Sequence, residues 1–159
     1  MKATHPILFR EVQRFRDVAW VMTLVFGIAA LQWWLFLSQA FDGGGQMIVF
    51  APYWLLFGIG LPALFLWLRL EVTVYPDTVV IRFAPFVNRA IPKLDIAGVE
   101  AVVYRPLGDF GGWGIRGWGG RVAYNVRGNE GVELTLFDGR RVLIGSRHAD
   151  ALAAAIGSR

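Results

Sequence analysis

From Val18 to Phe41 the chain runs for 24 residues without a formal charge, and from Met47 to Leu68 for another 22. At about 1.5 Å of rise per residue, either run reaches across a hydrocarbon core of roughly 30 Å. Between them, Asp42-Gly-Gly-Gly-Gln46 cannot continue a helix, because successive glycines favour the unfolded chain entropically. The pattern predicts two transmembrane helices, 18–41 and 47–68, joined by a tight turn at 42–46. A cleavable signal peptide is the competing reading of the first run. Its apolar core would be shorter, about 7–15 residues, and followed by a small-x-small site. Here Trp33 and Trp34 sit inside the run, which closes on Phe36-Leu-Ser-Gln-Ala-Phe41, so a retained span is expected. Pro52 falls in the first turns of the second helix, where a missing N–H costs little. Pro62 is interior and predicts a kink, with a freed carbonyl that neighbours must satisfy. Gly27, Ala30 and Gly58 allow close packing, and Gln32, Ser38 and Gln39 are expected to face protein rather than lipid.

From Arg69 the hydrophobic period changes to two. Leu70-Glu-Val-Thr-Val-Tyr75 alternates, Pro76-Asp77 makes a turn, and Thr78-Val-Val-Ile-Arg-Phe83 returns as a hairpin partner. Pro85 to Pro92 reads as a connection or short strand, and Val99 to Tyr104 as a strand. Further strands are expected at Arg121–Val126, Gly131–Phe137 and Arg140–Ile144. The last two are joined by Asp138-Gly139, whose positions both tolerate positive φ. Ser146 is placed to cap an alanine-rich helix, Ala151 to Ile156, that Gly157 ends. Residues 69–159 therefore predict six or seven short strands and one terminal helix.

The first 17 residues carry Lys2, Arg10, Arg14 and Arg16 against Glu11 and Asp17. Phe9, Val12 and Phe15 recur at helical spacing, which admits an amphipathic helix lying on a membrane. A basic flank that only sets orientation is the simpler alternative. Either way the positive charge lies before the first span and resumes at Arg69, and the connecting turn has none. Both termini are thus expected in the cytoplasm. Arg10, Arg14, Arg16 and Arg69 are the expected interfacial cations, and Trp54 and Trp67 the interfacial aromatics.

Composition adds exclusions. The hydrophobic fraction is 55% and the mean hydropathy +0.47, yet between Val18 and Leu68 only Asp42 is charged. Such segregation belongs to a membrane anchor joined to a water-exposed domain. A net charge of +4 is too mild for a nucleic-acid footprint. Without cysteine there is no disulfide framework, thiolate metal site or thiol nucleophile. The histidines, His5 and His148, lie outside the spans and form no pair at metal-ligand spacing. Ser146 and His148 lack the oriented partner of a triad. Asp95, Glu100, Asp109, Glu130, Glu133 and Asp138 are scattered over strand ends and turns. No enzymatic activity, cofactor, metal or small-molecule ligand is expected.

One stretch resists this pattern. Seven of the thirteen residues from Gly108 to Gly120 are glycine, with Trp113, Arg116 and Trp118 among them and Arg121 following. A phosphate cradle is not indicated, because no Lys-Ser/Thr follows and no strand–loop–helix unit surrounds it. Two readings stand. Glycines allow sharp bends while the tryptophans close a barrel end. Alternatively, Trp113, Arg116, Trp118 and Arg121 form an aromatic–cationic surface for a partner protein or anionic lipid.

The segments Tyr104-Arg-Pro, Gly111-Gly-Trp-Gly-Ile-Arg116, Asn125, Gly128-Asn129 and Asp138-Gly-Arg140 resemble an uncharacterised bacterial family of membrane proteins with a PH-like domain. The resemblance covers Arg69 to Ile156 and the two preceding spans. It implies a membrane α-hairpin plus an α+β PH-like split β-barrel with a C-terminal helix, and no established activity. Many PH domains bind phosphoinositides through basic residues between their first two strands. The corresponding loop here is expected at Tyr75-Pro-Asp-Thr78, which has no Lys or Arg, so that role is not carried over. The expected organisation is 1–17, a basic N-terminal segment; 18–68, the hairpin; and 69–159, a cytoplasmic PH-like domain. The expected role is a non-catalytic scaffold or accessory subunit of the bacterial inner membrane, in contact with the lipid bilayer and other membrane-protein subunits. An anionic-lipid-binding or membrane-sensing module is the alternative.

Overall fold

The computed structural model describes residues 6–41 and 47–158, with the side chains of 39–50 and of residue 118 outside that description. Lys2, His5 and the turn expected at 42–46 fall outside the described residues. The chain divides into a β unit, residues 1–13 and 69–159, and a helical unit, residues 14–68.

In the β unit, β1 (Phe9–Arg14), β2 (Arg69–Val74), β3 (Thr78–Ala84) and β4 (Val87–Pro92) form one sheet in the order β1-β2-β3-β4. Bonds from Leu8 N to Val74 O and from Phe15 N to Leu68 O set β1 antiparallel to β2. The first strand thus precedes the long apolar helix, and the helical unit is an insertion between β1 and β2. This corrects two expectations. Residues 9–14 are a strand rather than an amphipathic helix or a bare flank, and the first two strands are joined by the helical unit, not by Tyr75–Thr78. The helical spacing of Phe9, Val12 and Phe15 misleads because the inward positions of β1 are Glu11 and Gln13. Period two is present but carried by polar residues.

The second sheet has β5 (Ile96–Val103), β6 (Gly114–Trp118), β7 (Arg121–Asn125), β8 (Glu130–Leu136) and β9 (Arg141–Gly145), in the order β5-β8-β9-β7-β6. All neighbours are antiparallel except β7 and β9. A short helix α4 (Pro106–Phe110) stands between β5 and β6. The terminal helix α5 (Ala149–Gly157) packs on β5, β8 and β2. Leu70, Val72, Val74, Val79, Ile81 and Phe83 from the first sheet are buried, as are Val132, Leu134, Val142 and Ile144 from the second and Leu152 and Ile156 from α5. The opposite face of the second sheet is also covered, since Leu143, Ala123 and Tyr104 cluster with Val102 and Phe110. Burial on both faces explains why Val142-Leu143-Ile144 reads as a continuous apolar run.

The Asp138-Gly139 turn joins β8 to β9 as expected, with Arg140 donating to Asp138. That contact is the main cause holding the Asp138 carboxyl below its usual range. Ser146 does not cap α5. Its hydroxyl donates to Glu11 Oε2 at 2.5 Å and accepts from His148 N. At the other end of α5, Lys93 Nζ donates to the carbonyls of Ala155 and Ser158 at 2.8 and 2.9 Å. A cation at a helix C-terminus meets both the orphan carbonyls and the dipole.

In the helical unit, α1 (Ala19–Phe41) is followed by a second run made of α2 (Met47–Leu55), a π-helical turn Leu56–Gly60 and α3 (Leu61–Trp67). Among the described residues one helix, Ala19–Ser38, is long and apolar enough to cross a membrane; the described apolar helix of the second run, Ala51–Trp67, is shorter. The expectation of a second span at 47–68 therefore goes beyond what helix length shows. The anticipated defect at Pro62 is present and answered. Pro62 has no N–H to offer the carbonyl of Gly58, and Trp33 Nε1 from α1 donates to that oxygen at 3.3 Å. A Cβ on Gly58 would stand 2.9 Å from Trp33 Nε1, so the ring reaches the carbonyl only because residue 58 is glycine. Gln32 Nε2 to Tyr53 Oη and Phe36 against Trp54 extend the same seam.

Candidate functional site

The glycine-rich stretch folds into three parts. Pro106 starts α4, which turns Phe110 edge-on to Tyr104, with ring centroids 5.9 Å apart. Gly111 and Gly112 release the chain, and β6 then pairs with β7 from Gly114↔Asn125 to Trp118↔Arg121. The base of this hairpin is pinned twice: Gly114 N donates to Asn125 Oδ1, and Trp113 Nε1 to the Gly128 carbonyl. Asn125 is fully buried and Tyr104 nearly so. Burial pushes the Tyr104 hydroxyl above its ordinary value, partly offset by the Asn125 side chain.

Of the four residues expected to form one surface, the fold separates two. Trp113 lies at the hairpin base, whereas the backbone of Trp118 lies at the tip beside Arg121. Arg116 and Arg121 do come together, lining a hollow of about 410 Å³ with Asp109, Phe110 and Gly117. Their guanidinium groups are not equivalent. Arg121 donates to Glu133 at 2.9 Å and lies 4.9 Å over the Phe110 ring. Arg116 is exposed and donates to the Trp113 carbonyl, and among the described residues no carboxylate pairs with it. The hollow therefore offers one uncommitted cation.

β6 is the outermost strand of its sheet, so among the described residues its outward-facing backbone has no strand partner. Its tip shares one end of the sheet with the Asp138-Gly139 turn, because Arg121 registers with Arg141 and Arg141 N bonds to Gly120 O. At that same end Phe137 N bonds to Asp95 O, which brings in a second surface. Pro76, Asp77, Thr78, Pro92, Lys93, Leu94, Ile96 and Phe137 line a mainly apolar hollow of about 810 Å³. Leu94 is 89% exposed and Phe137 74% exposed. Single exposed apolar residues are ordinary, but two that line one hollow make it a candidate interaction surface. Sequence reasoning passed over them. The available signal was a large apolar residue at a turn, in Pro92-Lys-Leu94-Asp and Phe137-Asp-Gly.

The expected interfacial residues divide likewise. Arg10 is bound to Glu71 across β1 and β2, at 2.6 and 3.0 Å. Arg16 stands 3.9 Å from Asp17. Arg14 is half-buried, and Arg69 Nε is enclosed with no hydrogen-bond partner among the described residues. Trp54 packs among Phe36 and Tyr53, while Trp67 is 60% exposed. His148 is exposed on the rim of a further groove, of about 440 Å³, between β5 and α5. Among the described residues no group of three His, Asp or Glu is placed to hold a metal ion.

No curated protein and no solved structure matches the chain. A family of unknown function, DUF6141, matches residues 2–159, and the chain belongs to that family.

Proposed function

We propose that this protein is a non-catalytic scaffold or accessory subunit of a cell membrane, anchored by a two-helix hairpin, whose cytoplasmic β unit docks a partner protein. The anchor reading is carried by the pairing of β1 with β2. A signal peptide is removed together with what precedes it, yet here β1 precedes α1 and belongs to the folded sheet. Strands on either side of the helical unit pair with each other, which supports a topology with both ends of that unit on one side of the bilayer. If α1 crosses, the chain must return, and Met47–Trp67 is the segment available. The basic residues Lys2, Arg10, Arg14, Arg16 and Arg69 support the cytoplasm as that side. The sheet order β1-β2-β3-β4, the β5-β8-β9 meander and α5 fit a PH-like split barrel. It would carry two insertions: the helical unit after β1, and α4–β6–β7 after β5.

The docking reading rests on the apolar hollow around Leu94 and Phe137, at the same end of the sheet as the hairpin tip. Aromatic and aliphatic groups that sit exposed beside a concave apolar surface become favourable when a partner covers them, at about 25 cal/mol per Å² of buried apolar area. Purification of the full chain from native membranes in mild detergent tests this. Partner proteins should co-purify with the wild type and be lost from the double variant Leu94→Asp/Phe137→Asp. A wild-type chain that runs as a lone monomer would overturn the proposal.

The hollow holding Arg116 and Arg121 favours a second reading, retention of an anionic lipid headgroup. Because Glu133 already neutralises Arg121, the site supplies little net charge to a phosphate. Docking predicts that Arg116→Ala/Arg121→Ala leaves co-purified phosphatidylglycerol unchanged by native mass spectrometry; a clear loss would favour the lipid. The full chain is required, since a fragment starting at Arg69 lacks β1.

A further inference from the structure

The β3–β4 turn offers a different surface. Arg69 registers with Ala84, the last pair of β2 and β3. One residue beyond Arg69 on one side is Leu68, and then the end of α3 at Trp67. Beyond Ala84 on the other side come Pro85 and Phe86, held by a bond from Phe86 N to Phe83 O at 2.8 Å. Phe86 is 62% exposed, whereas its neighbours Phe83 and Ala84 are buried. The strand ends that enter and leave the helical unit, Arg14 and Arg69, lie at this same end of the sheet. Leu94 lies at the opposite end, about 20 Å away along β4 at roughly 3.3 Å per residue.

We infer that the Pro85-Phe86 turn is a membrane-interface anchor, inserting the Phe86 ring into the headgroup region of the bilayer beside the Arg14/Arg69 strand ends. This rests on the membrane reading above and goes beyond it by assigning a lipid-contacting residue in the β unit. The occupant is a lipid surface because of continuity. The chain passes from Arg69 into an apolar helix within one residue, so the end of the sheet that carries both Arg69 and the Pro85-Phe86 turn is tethered where aromatic belts form. Arg14 and Arg69, the paired ends of β1 and β2, add cations where an anionic leaflet attracts them. A ring fixed on a two-residue turn enters that region with little loss of side-chain freedom.

The chain contains no cysteine, so single-cysteine variants can be labelled cleanly. Phe86→Cys, Leu94→Cys and, in the middle of α1, Leu31→Cys would carry an environment-sensitive fluorophore. The full chain would be reconstituted in phosphatidylcholine–phosphatidylglycerol vesicles. Shallow nitroxide lipids should quench most of the Phe86 signal and little of the Leu94 signal, while aqueous iodide does the reverse. If Leu31 is quenched by lipid but Phe86 behaves like Leu94, the anchor inference is overturned and the membrane reading stands. If Leu31 escapes nitroxides carried deep on the acyl chain, the membrane reading itself fails. Pro85→Cys, also at an exposed position, repeats the measurement without removing the phenylalanine ring and must agree.

Discussion

Replacing Glu11 by alanine is expected to destabilise the fold by about 3 kcal/mol, a large fraction of a domain's margin of about 5–15 kcal/mol. Glu11 is 7% exposed. Its carboxylate accepts from Ser146 Oγ, Arg147 N, Gln13 Nε2 and, at 3.4 Å, Arg147 Nε. Removing it leaves a buried hydroxyl and a part-buried backbone N–H without an acceptor, each at about 1–3 kcal/mol. The Arg147 side chain is half-exposed and can return to water, so it adds little. Gln13 keeps its bond to the Gly145 carbonyl at 2.9 Å, which bounds the loss. These bonds tie β1 to the turn between β9 and α5, so amide exchange in β1 should accelerate along with the drop in stability. Denaturant or thermal unfolding of the full chain in detergent measures it. A change below about 0.5 kcal/mol, the range of an ordinary surface substitution, would show that the network does not hold β1.

Gly117→Ala should open the β6–β7 hairpin while sparing the rest of the β unit. The added Cβ would stand 2.2 Å from Arg121 O and 2.7 Å from Val122 Cα, both backbone atoms that no side-chain rotation moves aside. The residue also sits at φ +151°, where an L side chain is strained. Overpacking and strain together amount to about 3 kcal/mol. Because β6 is outermost, that free energy is relieved by local detachment rather than global unfolding. Hydrogen exchange over 114–125 should rise about 100-fold, with β8 unchanged. Gly119→Ala is the contrast: nothing lies within 4 Å of its Cβ, and only the φ of +60° opposes it. Equal responses from the two variants would refute a specific close approach at Gly117.

Loss of partner proteins in Gly117→Ala as well as in Leu94→Asp/Phe137→Asp would tie the hairpin tip and the apolar hollow into one docking end. Partner retention in Gly117→Ala would confine docking to the hollow.

Much of this architecture is legible locally. An uncharged run of 24 residues needs no tertiary information to be recognised as a helix, since its helical backbone satisfies its own hydrogen bonds. The alternation of Leu70 to Val74 against Thr78 to Phe83, and Asp138-Gly139 between two β-rich runs, encode their hairpins in short-range geometry. Pro62 announced a freed carbonyl, though not that Trp33, 25 residues away across the seam, would satisfy it.

What the tertiary structure alone decided is membership of the β unit. Glu11 and Gln13 look like solvated residues of a basic flank, because a carboxylate is expected inside only when paired and hydrogen-bonded. Their partners are Ser146 and Gly145, more than 130 residues downstream, and no window along the chain contains both. The same separation hid the insertion of the helical unit, because β1 becomes a strand only when β2 is beside it. Likewise the glycine-rich stretch has no strand propensity of its own; β6 exists because β7, held in parallel register against β9, supplies its partner. Local chemistry determined where this chain forms a long apolar helix, while long-range pairing determined which polar residues are buried and which apolar ones, Phe86, Leu94 and Phe137, are left facing outward.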